Sequence, residues 1–209
     1  FLGSPVTPWM LPFLLCSASR FLPIMLLFLL LISESPFRTR QQSFVILRTG
    51  KRIWIKGQLL YLLIISICFT ALVWVLSWIW YLPELTWSTA WGDSLLTASQ
   101  GLDPSFFGVY LNFGYRVIKN AEPILVTLWC SAVMVLVCYM LGVIMTVCNL
   151  YLKKGLGAII TSILVGISLI PEYFTIDPGV IKMTIWISPV SWMDRMLMGN
   201  NNQNLPSYA

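Results

Sequence analysis

Residues 58–81 read QLLYLLIISICFTALVWVLSWIWY, a run without a single charge. A helix needs about 20 apolar residues to cross a bilayer. Lipid offers the backbone no hydrogen-bond partner, so such a run in hydrocarbon must be helical. Three further runs follow the same rule, at about 9–33, about 123–152 and about 155–170, the last short and stopped by Pro171. The first ends in the stretch Phe21 to Ile32, while Arg20, Pro12 and Pro23 make its outer half irregular. The expected fold class is all-α, a polytopic helical membrane protein forming a single transmembrane domain over 1–209 with four visible spans.

Composition points the same way. Hydrophobic residues make up 58% of the chain and charged residues 10%, against roughly 25% charged in an average soluble domain. That leaves too little polar surface to wet a globule, and a chain of 209 residues is too short to hide four such blocks inside itself. The chain opens on Phe1 rather than Met, and its first apolar block lacks the basic leader and Ala-x-Ala pattern of a signal peptide. The expectation is an internal piece of a longer protein. Histidine is absent, which removes the commonest metal ligand and general base. Cys16, Cys68, Cys130, Cys138 and Cys148 all sit in apolar runs without CxxC spacing, and read as small buried hydrophobes.

Lysine and arginine set the direction. The segment 34–57 carries Arg38, Arg40, Arg48, Lys51, Arg52 and Lys56 with Glu34 its one acid, and the turn 152–155 carries Lys153 and Lys154. Two spans separate these segments, so they share a side, and the basic side is expected to be cytoplasmic. Arg116, Lys119, Lys182 and Arg195 stand against seven acids on the other side. Trp74, Trp78, Trp80 and Tyr81, followed by Trp87 and Trp91, gather where the second span meets the outer loop. Amphipathic rings favour that headgroup level; the sharper reading is a cofactor box or sugar platform.

The segment 34–57 is the most informative polar stretch. Phe44, Leu47 and Trp54 suggest a short helix with an apolar face, and Gly50 suits a helix end that lets the chain turn. Such a helix fits docking into a soluble partner, or a basic loop resting on anionic lipid headgroups. The outer loop 82–122 holds Asp93, Asp103, Phe106, Phe107 and Tyr110 without a catalytic pattern. The outer tail 171–209 contains an amphipathic stretch with Trp186, Ser188, Pro189 and Trp192, expected as an interfacial or re-entrant helix pair interrupted by Pro189. No acid lies in mid-span, where coupled carriers usually keep ionisable groups. Arg20 is the one intramembrane cation, expected to snorkel outward or to pair with an outer-loop acid. A phosphate-binding Gly-rich loop followed by Lys-Ser/Thr is also missing, so nucleotide-driven work would need a second chain.

Ser33-Glu34-Ser35-Pro36-Phe37, Ile46-Leu47-Arg48-Thr49-Gly50-Lys51-Arg52 with Trp54, and Gly57-Gln58-Leu59-Leu60-Tyr61 resemble membrane subunits of bacterial ATP-binding-cassette type-2 exporters, Gram-positive permease-like proteins in particular. The segments 85–92, Ile187 to Trp192 and Leu205 to Ala209 fit the same pattern. The resemblance implies a six-span permease half in the cell membrane, of which the four runs are the second to fifth spans. It places Arg48, Gly50, Lys51, Arg52 and Trp54 in the coupling region that touches the ATPase. It places Trp186, Ser188, Pro189 and Trp192 in short outer helices before the last span. The implied partners are an ABC ATPase subunit, a second permease half and membrane lipid, with no nucleic acid. This chain would hold no cofactor; ATP and magnesium would sit in the partner. The implied function is export of an unidentified peptide, lipid-like or drug-like substrate. A non-transporting scaffold or immunity protein would use the same basic segment. An intramembrane enzyme built on Ser66, Ser77 or Ser131 would need a base that the sequence does not place beside them.

Overall fold

Two helices of 29 residues each dominate the chain. The structure is a computed structural model that describes residues 7–15, 18–36, 42–79, 85–91, 122–152, 155–173 and 178–193. In chain order its helices are α1 (Leu11–Leu14), α2 (Ala18–Ile32), α3 (Gln42–Thr49), α4 (Lys51–Ile79), α5 (Pro123–Tyr151), α6 (Leu156–Gly166), α7 (Ile170–Tyr173) and α8 (Pro178–Ile187). Tight 3-10 turns occupy Ile167–Leu169 and Pro189–Met193. The described residues are helical without a strand.

At 1.5 Å per residue, α4 and α5 are each about 43 Å long, against about 30 Å of bilayer hydrocarbon. Both are long and apolar enough to cross a membrane. Their apolar surface is not spent on a core. Leu60, Ile64, Ile67 and Leu72 of α4 and Leu125, Leu128 and Leu136 of α5 are exposed, where a core helix of a water-soluble protein would bury such residues.

α5 is the axis of the packing. Val126, Cys130, Met134, Val137, Leu141 and Met145 follow one another at spacings of three and four, Cys138 lies beside Val137, and all are buried. That spacing draws a continuous stripe down one side of a helix. α4 packs along α5 and sends Leu62, Phe69 and Val73 into the shared core. α2 brings Phe21, Met25, Phe28 and Ile32 into the same cluster, and the Phe28 and Phe69 rings meet at 5.0 Å. α6 returns antiparallel beside α5, with Val165 reaching the core. Gly142 of α5 admits Leu62: a Cβ there would stand 3.2 Å from the Leu62 Cδ2.

The helix bounds correct several expectations. The run 9–33 is two helices, because α1 ends at Leu14 and α2 starts at Ala18. Pro12 fits the first turn of α1, where its missing N–H has no partner to lose. The second run begins seven residues earlier than expected, at Lys51, so 51–57 is helix and not loop. Charge marks where apolar surroundings end; it does not stop helical hydrogen bonding. Pro171 does not stop the fourth run either. Lacking an N–H, it cannot bond the Ile167 carbonyl one turn back. Ile170 donates to that carbonyl instead, so the ladder tightens into 3-10 form and continues as helix to Tyr173.

Cys130 and Cys138 are buried as expected, whereas Cys68 is exposed on the outward side of α4. Cys16, most of the outer loop, Lys153, Lys154, Trp80, Tyr81 and the tail beyond Met193 lie outside the described residues.

Candidate functional site: a basic elbow and an asparagine knot

α3 and α4 meet at a single left-handed residue. Gly50 has φ of 80°, a conformation that costs a residue with a Cβ about 1–2 kcal/mol. Its N–H donates to Ile46 O at 2.8 Å, closing α3, and its carbonyl accepts from Trp54 N–H at 3.3 Å, opening α4. Around this joint the structure brings the expected coupling residues together. Arg48, Lys51 and Arg52 are exposed and Trp54 is half-buried. Leu47 and Ile53 are also exposed, at 83% and 63%, so the elbow shows apolar and cationic surface side by side.

The charges at the joint differ in their relation to the helix dipoles. Arg48 in the last turn of α3 faces a favourable negative dipole end. Lys51 and Arg52 occupy the first turn of α4, which contains no acid. Cations at that positive end cost a few tenths of a kcal/mol each. These side chains add nothing to the dipole energy of α4.

At the same end lies a knot of hydrogen bonds centred on Asn149, in the last turns of α5 and buried. Its Nδ2 donates to Ser35 O at 2.7 Å and to Ser33 O at 3.3 Å, on the segment that leaves α2. Its Oδ1 accepts from Gly155 N–H at 3.2 Å and Gly157 N–H at 3.1 Å. One amide side chain therefore caps the start of α6 and the end of α2 together, satisfying backbone groups that helix termini leave free. Thr146, one turn earlier, donates to Gly142 O at 2.8 Å. Its only proton is thus used, and Ser35 Oγ donates to Thr146 Oγ1 at 2.5 Å. Ser35 N–H bonds Ile32 O at 2.8 Å, which leaves Ser35 engaged at its amide, carbonyl and hydroxyl. Gly157 makes room: a Cβ there would lie 2.6 Å from Asn149 Oδ1 and from Met145 O.

The opposite end is aromatic. Trp74 and Trp78 meet edge to face at 6.2 Å, and Trp78 and Trp87 at 6.1 Å. Phe13 meets Trp91 at 5.3 Å. Trp9 Nε1 donates to Ser88 O at 2.7 Å and Thr7 Oγ1 to Trp91 O at 3.2 Å, fastening the start of the outer loop to the segment before α1. Arg20 donates to Phe13 O at 3.0 Å, tying α2 to α1.

The expected tail residues stand apart from the elbow. After Tyr173 the described tail holds α8 and the 3-10 turn Pro189–Met193. Trp186 is exposed and Trp192 half-buried, while Ser188 and Pro189 are buried. Ser188 Oγ donates to Leu164 O of α6 at 2.9 Å, and Val190 and Met193 enter the core. Pro189 ends the α-helical ladder, and the turn it opens packs inward. The serines considered as nucleophiles spend their protons on their own helices: Ser66 on Leu62 O, Ser77 on Trp74 O and Ser131 on Thr127 O. This is how hydroxyls are usually accommodated inside apolar helices.

Sequence reasoning missed the knot. Its signal was Asn149, the one amide side chain in the 29 residues of α5. A polar group in an apolar helix needs partners, and nothing in the stretch Ser33 to Pro36 marks its carbonyls as those partners. Compared with protein-family models, curated proteins and solved structures, the chain shows no match.

Proposed function

We propose that this chain is the permease subunit of an ATP-driven exporter of the ATP-binding-cassette type-2 class, energised by a separate ATPase. In this reading α1 with α2, α4, α5, and α6 continuing to Tyr173 are the four crossings, in a six-span half that pairs with a second half. The elbow faces the cytoplasm and the tryptophans face outward. The observation that carries the reading is the elbow itself. Exposed Arg48, Lys51 and Arg52 stand at a joint whose second arm is one unbroken apolar helix. A soluble partner gripping Arg48 and Trp54 would act directly on the far side of the bilayer through α4. Its ATP and magnesium would drive a change between two arrangements of the bundle, and the exported molecule is of peptide, lipid-like or drug-like kind.

The test is capture of the tagged full chain from its own cells in mild detergent. Recovery of a chain carrying a phosphate-binding Gly-rich loop followed by Lys-Ser/Thr is expected. The double variant Arg48→Ala, Trp54→Ala should lower that recovery at least about tenfold, the scale of losing two central interface side chains. Consistent recovery of the chain without any ATPase would favour a scaffold or immunity protein and sink the transport reading.

A further inference from the structure

We propose that an anionic phospholipid binds at the foot of α4, its headgroup held by Arg52 and Lys56 and its acyl chain lying along Leu60, Leu63 and Ile67. These residues follow one another at spacings of four, four, three and four, which puts them on one face of a helix. All five are exposed. The other side of α4 sends Leu62, Ser66, Phe69, Thr70 and Val73 into the bundle. The outward face therefore reads as two cations one turn apart, then an unbroken apolar stripe.

Dimensions and charge select the occupant. From Lys56 to Ile67 is about 16 Å along the helix, close to half of the roughly 30 Å hydrocarbon thickness. The stripe thus matches the depth of one leaflet, with the cations at its mouth. An anion there also meets the positive end of the α4 dipole, which no acid in the first turn of α4 satisfies. A second copy of this chain is a poor fit, since the segments at this end carry eight basic residues against Glu34. A soluble protein reaches the elbow but not a stripe at hydrocarbon depth. A phospholipid supplies both an anionic head and a chain of suitable length. The proposal rests on α4 crossing the membrane with its Lys51 end inward, and not on transport.

The experiment uses the full chain in a mild non-ionic detergent. It is titrated with dioleoyl-phosphatidylglycerol or dioleoyl-phosphatidylcholine, and bound lipid is counted by native mass spectrometry. At about fivefold per basic residue near a headgroup, the wild type should retain phosphatidylglycerol roughly twentyfold better. Arg52→Gln with Lys56→Gln should bring the two lipids within about twofold, and Lys56→Gln alone should lose about fivefold. Arg52→Lys with Lys56→Arg should keep the preference. Dihexanoyl-phosphatidylglycerol should bind at least about tenfold more weakly than the dioleoyl form, having lost most of its chain contact. Equal retention of both lipids by the wild type, or a preference that survives the double glutamine variant, overturns the proposal. So does displacement by millimolar inorganic phosphate, which would make this a free-anion site. Absence of a co-purifying ATPase leaves these outcomes unaffected and bears only on the transporter reading.

Discussion

The two ends of the α4–α5 pair are held by different physics. At the elbow end, Asn149, Thr146 and Ser35 use directional bonds, and each proton and carbonyl in the knot has an assigned partner. At the far end, Trp74, Trp78 and Trp87 are held by ring contacts, and the buried Nε1 atoms of Trp74 and Trp78 have no hydrogen-bond partner among the described residues. Ring packing is only loosely directional and tolerates shape-preserving change. A saturated polar knot in apolar surroundings fails when one member is lost, because its former partners stay buried and unsatisfied. The comparison predicts a brittle end and a forgiving end on the same two helices.

Gly157→Ala should break the brittle end most severely. Its Cβ would stand 2.6 Å from two oxygens, one of them backbone, and separating α5 from α6 should cost about 3 kcal/mol. Thermal unfolding of the detergent-solubilised chain followed by circular dichroism would register this as the largest drop in midpoint of the set. Asn149→Ala comes next, at about 2 kcal/mol, because four backbone groups lose a partner and some regain water at the helix ends. Asn149→Asp should be worse than neutral despite keeping the acceptor oxygens, since ionised Asp donates nothing to Ser33 O and Ser35 O. If Asn149→Ala unfolds within about half a degree of wild type, the knot is incidental. At the forgiving end, Trp78→Phe keeps a ring and deletes an unpartnered N–H, so a change below about 0.5 kcal/mol is expected by the same measurement. A loss matching that of Asn149→Ala would erase the distinction between the ends.

Much of the architecture was readable from residues because lipid-like surroundings leave helices few options. The run 123–152 and the helix Pro123–Tyr151 nearly coincide, since Pro123 fits a first helical turn and Lys153 ends the apolar run. The elbow was readable too, through Gly50 between two amphipathic stretches. What stayed hidden has a common cause. Hydropathy reports the surroundings of a segment, so the charged start of α4 read as loop. The i→i−3 bond that lets the chain pass Pro171 depends on geometry and leaves no compositional mark. Asn149 bonds backbone carbonyls 114 and 116 residues away, and backbone atoms are alike in every sequence. The inward packing of Ser188 and Val190 follows from the path of α8, which no local pattern states.

The single-residue joint at Gly50 has a mechanical consequence. α4 runs from Lys51 past Trp78 without a proline or glycine after Gly57. Its length from Lys51 to Trp78 is about 40 Å. A rotation of about 10° about Gly50 would sweep the Trp78 indole through about 7 Å, more than one helical turn. An arm of that length would convert a small push at one end into a large stroke at the other, and the cost of the stroke would fall on the tryptophan ring contacts, where the Trp74 and Trp78 Nε1 atoms have no hydrogen-bond partner among the described residues.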